Sequence, residues 1–368
     1  MTNLKITPLF EYHKNNSHME EFAGYKMPIS YTSIGDEHIA VRKAAGIFDV
    51  SHMGRIKIQG ENAQEIVDLA IPSDLKIIER NNVIYTNLCN DKGGIIDDLI
   101  IYKKNENEFV LVVNAVNVKK DIKWLEKNKT RSSVLIENMT NQTSMIAVQG
   151  PKAKNILDRV LKKNVKINRF EFYEETKYGK MIISRTGYTG EDGYELIIFN
   201  NEKIMKLWNE FLQTNIQLGL KPCGLGARDT LRIEAGFPIY GKEIHENISP
   251  VEAGLKWIIS NKKKNYIGFE AIAEKLKNIT KRSRIGLKMI DKGIPRDECR
   301  ILDEKEIGII TSGTFSPLLK NGIALGYIDQ NYNKNQSIFV DIRGSKKRAM
   351  VVKPPFYDQK EFGYKREK

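Results

Sequence analysis

The chain has no long apolar run. Its longest hydrophobic stretches, such as Phe109 to Val113, are strand-length and give way to polar residues, far short of the roughly 20 apolar residues a membrane-spanning helix needs. Cysteine is scarce: Cys89, Cys223 and Cys299 are scattered, with no CxxC pair. That excludes a disulfide framework and a cysteine-built zinc site, and leaves buried small hydrophobes in a reducing compartment. The five histidines, His13, His18, His38, His52 and His245, show no metal-ligand spacing, so no metal is expected. The opening MTNLKITPLFEYHKNNSHMEEF has neither a signal peptide's apolar core nor the Arg-rich, acid-poor character of a transit peptide, which predicts a cytoplasmic protein.

What is present is ordinary for a folded domain: 41% hydrophobic and 29% charged residues, well clear of disordered composition. At 368 residues the chain exceeds what one core supports, so two or three domains are expected. The net charge of +13 invites a nucleic-acid reading. However, the basic clusters Lys262 to Lys264 and Lys346 to Arg348 are short and turn-like, which favours a solvated surface. Neither nucleic acid nor membrane is expected as a partner; the charge suits steering of an acidic protein or an anionic substrate.

Along the chain, an N-terminal helix-like stretch precedes a strand at Arg55 to Gln59 and a helix at Glu61 to Ala70, which Ile71-Pro72 ends. Strands at Asn82 to Cys89, Ile95 to Lys103 and Glu108 to Asn114 follow, then a helix at Val118 to Lys127. A second block has a strand at Met145 to Gln149, a helix from Pro151, paired strands within Lys180 to Phe199, a helix at Lys203 to Gly219 and a short helix at Gly226 to Ala235. Beyond Lys281, short apolar runs punctuated by glycine predict a small antiparallel barrel.

Three segments carry chemistry. In Gly93-Gly94-Ile95-Ile96-Asp97-Asp98-Leu99-Ile100-Ile101-Tyr102 a glycine turn delivers two carboxylates into an apolar strand. Alternation puts Asp98, Ile100 and Tyr102 on one face and Asp97, Leu99 and Ile101 on the other, so only one carboxylate can face a site; a pair that merely bonds turn amides is the plainer alternative. In Arg185-Thr186-Gly187-Tyr188-Thr189-Gly190-Glu191-Asp192-Gly193-Tyr194-Glu195 the glycines resemble a phosphate loop but lack its Lys-Ser/Thr ending. A glycine-rich hairpin fits better, with Glu195 on its outgoing strand able to accept paired hydrogen bonds from an amidine-like edge. In Gly224-Leu225-Gly226-Ala227-Arg228-Asp229-Thr230-Leu231-Arg232-Ile233-Glu234, Arg232 fits an ordinary surface network with Asp229 or Glu234. Arg228, in the first turn where positive charge opposes the helix dipole, is expected to reach a carboxylate elsewhere.

Together with Phe22-Ala23-Gly24-Tyr25-Lys26-Met27-Pro28, Phe48-Asp49-Val50-Ser51-His52-Met53-Gly54, Pro250-Val251-Glu252-Ala253-Gly254-Leu255, Gly293-Ile294-Pro295-Arg296 and Thr311-Ser312-Gly313-Thr314-Phe315-Ser316-Pro317, these segments resemble the glycine cleavage T-proteins nearly end to end. Tyr25 stands where many members have Trp, and Gly268-Phe269-Glu270 where Gly-Lys-Glu is usual; neither touches the expected chemistry.

The resemblance implies an α+β fold of three domains in a ring around a central folate channel, with a C-terminal antiparallel β-barrel. The expected boundaries are residues 1–54 plus 138–245 for a discontinuous first α+β domain, 55–137 plus 246–279 for a second, ferredoxin-like one, and 280–368 for the barrel. It implies tetrahydrofolate as co-substrate and a lipoylated H-protein as partner, whose aminomethyl group yields methylene-tetrahydrofolate and ammonia. Asp98 is then the expected catalytic carboxylate, with Asp97 in reserve. Glu195 would receive the pterin's donor edge; Met53, Tyr85, Ile100, Val112 and Tyr188 would line the slot, with Asn114 close by. Arg228 would pair with ligand or with polar groups near Glu195, and Arg366 would meet the folate's glutamate tail. Relatives of this fold include folate-dependent demethylases of methylated amines or sulfonium compounds and folate-binding accessory proteins. The intact Gly-Gly-Ile-Ile-Asp-Asp pattern counts against the first, and a missing Lys-Gly-Cys-Tyr motif against the second.

Overall fold

Apolar runs resolve into four sheets in the computed structural model, which describes residues 4–129, 133–278, 280–329 and 338–367. The largest open sheet has the order Phe172–Glu175, Met181–Ser184, Gly193–Ile198, Ser144–Gln149, Ala45–Asp49, Leu220–Pro222, and only the last pairing is parallel. Its central strands Ser144–Gln149 and Gly193–Ile198 are buried at every position, so they read as continuous apolar runs covered on both faces. Ile146 and Val148 point to a core shared with helices Ala153–Leu161 and Ile204–Asn215, where Ile156, Leu157, Leu207, Trp208 and Phe211 form the apolar stripes. Met145 and Ala147 point the other way, toward Tyr102, Val110 and Val112 of the next sheet.

That next sheet is antiparallel, ordered Asn82–Cys89, Ile95–Asn105, Glu108–Val113, Gly54–Gln59, Leu135–Asn138. Leu99 and Ile101 pack against helices Ala63–Ala70 and Val118–Lys127, while Ile100 and Tyr102 face the first sheet. Alternation along this strand therefore aims the two adjacent aspartates at different layers, Asp97 toward helix Val118–Lys127 and Asp98 toward the space between the sheets. The turn before them requires glycine. Gly93 has φ of +72°, and a Cβ on Gly94 would sit 1.8 Å from the Glu246 carbonyl oxygen.

Six strands, Arg282–Met289, Arg300–Leu302, Glu306–Ser316, Asn321–Asp329, Ile338–Ile342 and Ser345–Val352, close into a barrel around Leu287, Ile301, Ala324 and Val340. No described helix is long and apolar enough to cross a membrane. The N-terminal stretch differs from the helix-like expectation. It holds helix Phe10–Asn16, a hairpin of His18–Phe22 with Tyr25–Ser30, helix Ile34–Lys43 capped by Ser33, and strand Ala45–Asp49. The first hairpin strand is mostly exposed and so carries no hydrophobic alternation to betray it; Ala23 and Gly24, both at positive φ, make its turn.

Candidate active site

Asp98 is half-buried at the inter-sheet face. Its Oδ2 accepts the Tyr85 hydroxyl at 2.9 Å and its Oδ1 accepts Asn114 Nδ2 at 2.7 Å. The same amide reaches Asp97 Oδ1 at 2.8 Å. Asp97 is fully buried and also accepts the Asn114 backbone N–H at 3.0 Å and Asn117 Nδ2 at 2.6 Å. Asn117 is the residue from which helix Val118–Lys127 departs, and one turn in, that helix sets the buried carboxyl of Asp121 against Asp97.

Among the described residues no Lys, Arg or His forms an ion pair with any of these three carboxyls. Burial, and then the charge of Asp97, pushes Asp98 up to about 7; burial, and then Asp97, pushes Asp121 up to about 10. The helix N-terminus opposes protonation of Asp121 by only about 0.3–1 kcal/mol. Two unit charges ~4 Å apart at an effective dielectric of 20 repel by about 4 kcal/mol, so repulsion outweighs the helix dipole and the Asp97–Asp121 pair shares one proton.

Across the gap, Glu195 lies on strand Gly193–Ile198, opposite Ser184. Its Oε2 accepts Thr186 Oγ1 at 2.6 Å, and the chain continues through the Ser184 hydroxyl at 2.7 Å to the Tyr102 hydroxyl at 3.0 Å. These neighbours fix one side of the carboxylate. Tyr188 stacks on Phe237 at 5.8 Å and donates its hydroxyl to the Pro238 carbonyl. The Arg228 guanidinium stands 4.8 Å over the Tyr188 ring, in electrostatic reach of Glu195, and its buried Nη1 has no hydrogen-bond partner. Burial pulls Arg228 below its usual value, and the charge of Asp98 is felt at Tyr188. Tyr188 is therefore near both the carboxylate group and the Glu195–Arg228 group.

Met53 and Ile100 are half-buried and pack against the core between the sheets. Val112, cross-strand partner of Ile100, is 4% exposed and packs as a member of the core between the sheets. Tyr85 is sandwiched between Asp98 and the exposed indole of Trp257, which stacks on it at 5.7 Å. Arg366 is not brought to this cluster. Its guanidinium bonds Glu191 Oε2 at 3.2 Å, the Arg42 carbonyl at 3.0 Å and the Glu361 carbonyl at 2.7 Å.

Arg232 departs from the surface network expected of it. It is 1% exposed and bonds Glu243 at 2.8 Å and the barrel's Ser312 hydroxyl at 2.7 Å, as well as Asp229. The helix thus locks to the barrel, because its buried face, not its solvent face, carries the charge. Asn117, Asp121 and Trp257 had no motif of their own; only the spacing Asn114, Asn117, Asp121 at a strand-to-helix passage could have drawn attention to them. Burial pushes Cys89 up to about 12 and Cys223 well above its usual value, so neither thiol is a ready nucleophile. Among the described residues no His, Cys, Asp and Glu cluster is arranged to hold a metal ion.

These features define a class: a mixed helix-and-sheet protein with a C-terminal barrel and a cluster of buried carboxyls at its sheet faces. Residues 9–263 match the family described as the GCVT N-terminal domain, and residues 282–358 the glycine cleavage T-protein C-terminal barrel domain. The chain is 44% identical over 363 residues to an aminomethyltransferase of Thermoanaerobacter pseudethanolicus, covering 97% of this chain and 98% of that one. It is 42% identical over 360 residues to the aminomethyltransferase of Thermosipho melanesiensis, covering 96% and 97%. The crystal structure of glycine cleavage system aminomethyltransferase T from Bartonella henselae superposes with a TM-score of 0.91 at 31% identity, covering 98% of this chain and 99% of that one. The chain belongs to the glycine cleavage T-protein family.

Proposed function

We propose that the chain holds tetrahydrofolate between the Asp98 and Glu195 groups and receives the aminomethylated lipoyl arm of an H-protein. As a member of its family the chain is an aminomethyltransferase of the glycine cleavage system, an enzyme whose family uses tetrahydrofolate as co-substrate. The three sheet-bearing parts support a division into residues 1–54 plus 138–245, 55–137 plus 246–279, and 280–368. In the second of these, four of the five strands follow a ferredoxin-like order, and Asn82–Cys89 is added at the edge.

The residues present fit a pterin. Glu195 offers an acceptor to a flat donor edge, the unpartnered Nη1 of Arg228 awaits an acceptor, and Met53 and Ile100 give an apolar floor. The folate supplies the nitrogen nucleophiles that take the one-carbon unit. The protein's own share is to orient that ligand, exclude water and move a proton. The placement of Asp98, half-buried at the inter-sheet face with Tyr85 and Asn114 on its two oxygens, carries the assignment, and burial beside Asp97 pushes it up to about 7. Protonated, it can give a proton to a departing amine; ionised, it stabilises developing positive charge. Tyr85 and Asn114 hold it in place for both tasks. With Arg366 tied to Glu191, its contact with a glutamate tail would require that pair to open.

Mixing the chain with tetrahydrofolate and aminomethyl-loaded lipoyl H-protein should release ammonia and methylene-tetrahydrofolate in equal amounts. Tight folate binding with no ammonia would instead point to a demethylase or a binding protein. Glu195→Ala should weaken tetrahydrofolate binding by about 1.5–3 kcal/mol, the worth of a hydrogen bond to a charged group, or roughly ten- to a hundredfold. Calorimetric titration reads this directly, and unchanged affinity would remove Glu195 from the ligand site.

A further inference from the structure

Asp121 is a buried acid that nothing in the site's chemistry has used. Its side chain is fully enclosed, and neither carboxyl oxygen meets an N–H or O–H donor; the group within hydrogen-bonding reach is the Asp97 carboxylate. Two carboxyls in that contact are stable only when one supplies a proton to the other. Asp97 cannot be the donor without loss, because it already accepts from Asn114 N, Asn114 Nδ2 and Asn117 Nδ2.

Resting on the aminomethyl-transfer reading, we propose that Asp121 is a positioning residue: its carboxylic acid donates a hydrogen bond to Asp97, and that bond completes the frame through which Asn114 aims the Asp98 carboxylate at the reacting atoms.

The route is continuous. Asp97 Oδ1 takes the Asn114 amide at 2.8 Å, and the same nitrogen lies 2.7 Å from Asp98 Oδ1. An amide nitrogen with two hydrogens serves both carboxyls only if Asp97 is held still, and with N–H donors on both its oxygens Asp97 is better ionised than protonated. The charged groups around this frame leave the proton with Asp121. On its own helix, Lys120 is drawn off to the Tyr240 hydroxyl at 2.6 Å and to Glu246 at 3.1 Å. Tyr240 faces Asp97 from the segment before Glu246. Asp98 is faced by Tyr85 and Tyr188, with Arg284 in reach of Tyr85. None of these cations bonds the carboxyls. Burial, with Asp97 second, places the Asp121 acid at about 10, so it stays protonated through the range in which Asp98 titrates.

The variants Asp121→Asn and Asp121→Leu separate this role from simple packing. The amide of Asn can still donate to Asp97, so Asp121→Asn should keep kcat within about threefold and leave the acid limb of the pH–rate profile in place. Asp121→Leu fills similar space without a donor and should lower kcat by about tenfold or more, the loss of a hydrogen bond to a charged group, with little change in KM for tetrahydrofolate. Its acid limb should move down, because an unsupported Asp97 takes up the proton and ceases to repel Asp98. Infrared spectra of the full chain without ligands give a reading that needs neither turnover nor the Leu variant. At about pH 8.5, above the ordinary carboxylate range, a protonated carboxyl band should be present in the wild type and absent in Asp121→Asn. Absence of that band from the wild type, or a loss of kcat in Asn equal to that in Leu, overturns the proposal. A wild-type chain that shows the band yet fails in the H-protein assay would overturn the reaction while leaving the Asp121–Asp97 bond standing.

Discussion

Asp98→Asn should cut kcat for aminomethyl transfer by about 10²- to 10⁴-fold, the usual worth of a positioned acid–base group, while changing tetrahydrofolate affinity by less than about threefold. The amide keeps the shape, its oxygen can still accept from Asn114 and its NH2 can donate to the Tyr85 hydroxyl oxygen in place of the bond Asp98 now accepts, but it can neither give nor take a proton. The same substitution should stabilise the fold. An unfolded Asp titrates near 3.9, whereas burial and Asp97 hold Asp98 at about 7 in the folded chain. The folded state therefore favours the neutral acid. It suffers no penalty below about pH 4, and the cost of ionising the buried group grows as pH rises through 7. Asn escapes that cost. Denaturant titrations should show Asp98→Asn equal to wild type near pH 4 and roughly 2–4 kcal/mol more stable above pH 7, because each tenfold change in proton affinity between the folded and unfolded chain is worth about 1.4 kcal/mol. A variant as active as wild type, or one destabilised at high pH, would place Asp98 outside the chemistry. Asp97→Asn is the contrast: it puts an amide where three N–H groups converge, so its main effect should be on folding.

That contrast marks how far sequence reasoning reached. Gly93-Gly94 before Asp97-Asp98 was legible because turn glycines and strand alternation are local, and the two aspartates do point to different layers. The helix Val118–Lys127 was legible to the residue because its apolar spacing is strong. The frame behind Asp98 was not, since Asn114, Asn117 and Asp121 meet Asp97 only after the sheet has formed, and no local pattern records which polar residues will share a buried pocket. Arg232 misled for a related reason. Charges one turn apart on a helix look like a solvent face, and only the docking of the barrel against it shows that Arg232 and Glu243 are enclosed. Strand-pairing order was equally hidden: Ala45–Asp49 lies between Ser144–Gln149 and Leu220–Pro222, partners about a hundred or more residues away.

The farthest-reaching of these hidden contacts predicts the largest stability loss. Arg42 is fully buried on helix Ile34–Lys43. Its Nε and Nη2 bond Glu234 at 3.1 and 2.9 Å, its Nη1 bonds Glu191 at 3.0 Å and the Thr189 carbonyl at 2.9 Å, and its guanidinium lies 4.4 Å over the Tyr357 ring. One side chain thereby joins helix Ile34–Lys43, the helix that carries Arg228, the loop that carries Tyr188 and the segment after the barrel. Arg42→Ala should cost about 3–5 kcal/mol, because removing one member of a buried ionic network strands the others. His38 and Ser316 still bond Glu234, and Arg366 still reaches Glu191, which argues for the lower half of that range. Arg42→Lys should recover little, since an ammonium cannot present the planar fork that serves two carboxylates and a carbonyl at once. Added salt should not change the loss, as ions do not screen an enclosed pair. Because Thr189 follows Tyr188, folate affinity should fall together with stability in the Arg42 variants. Equilibrium unfolding alongside folate titration tests both, and a loss under about 1 kcal/mol would mean the network's charges are no better paired than they would be in water.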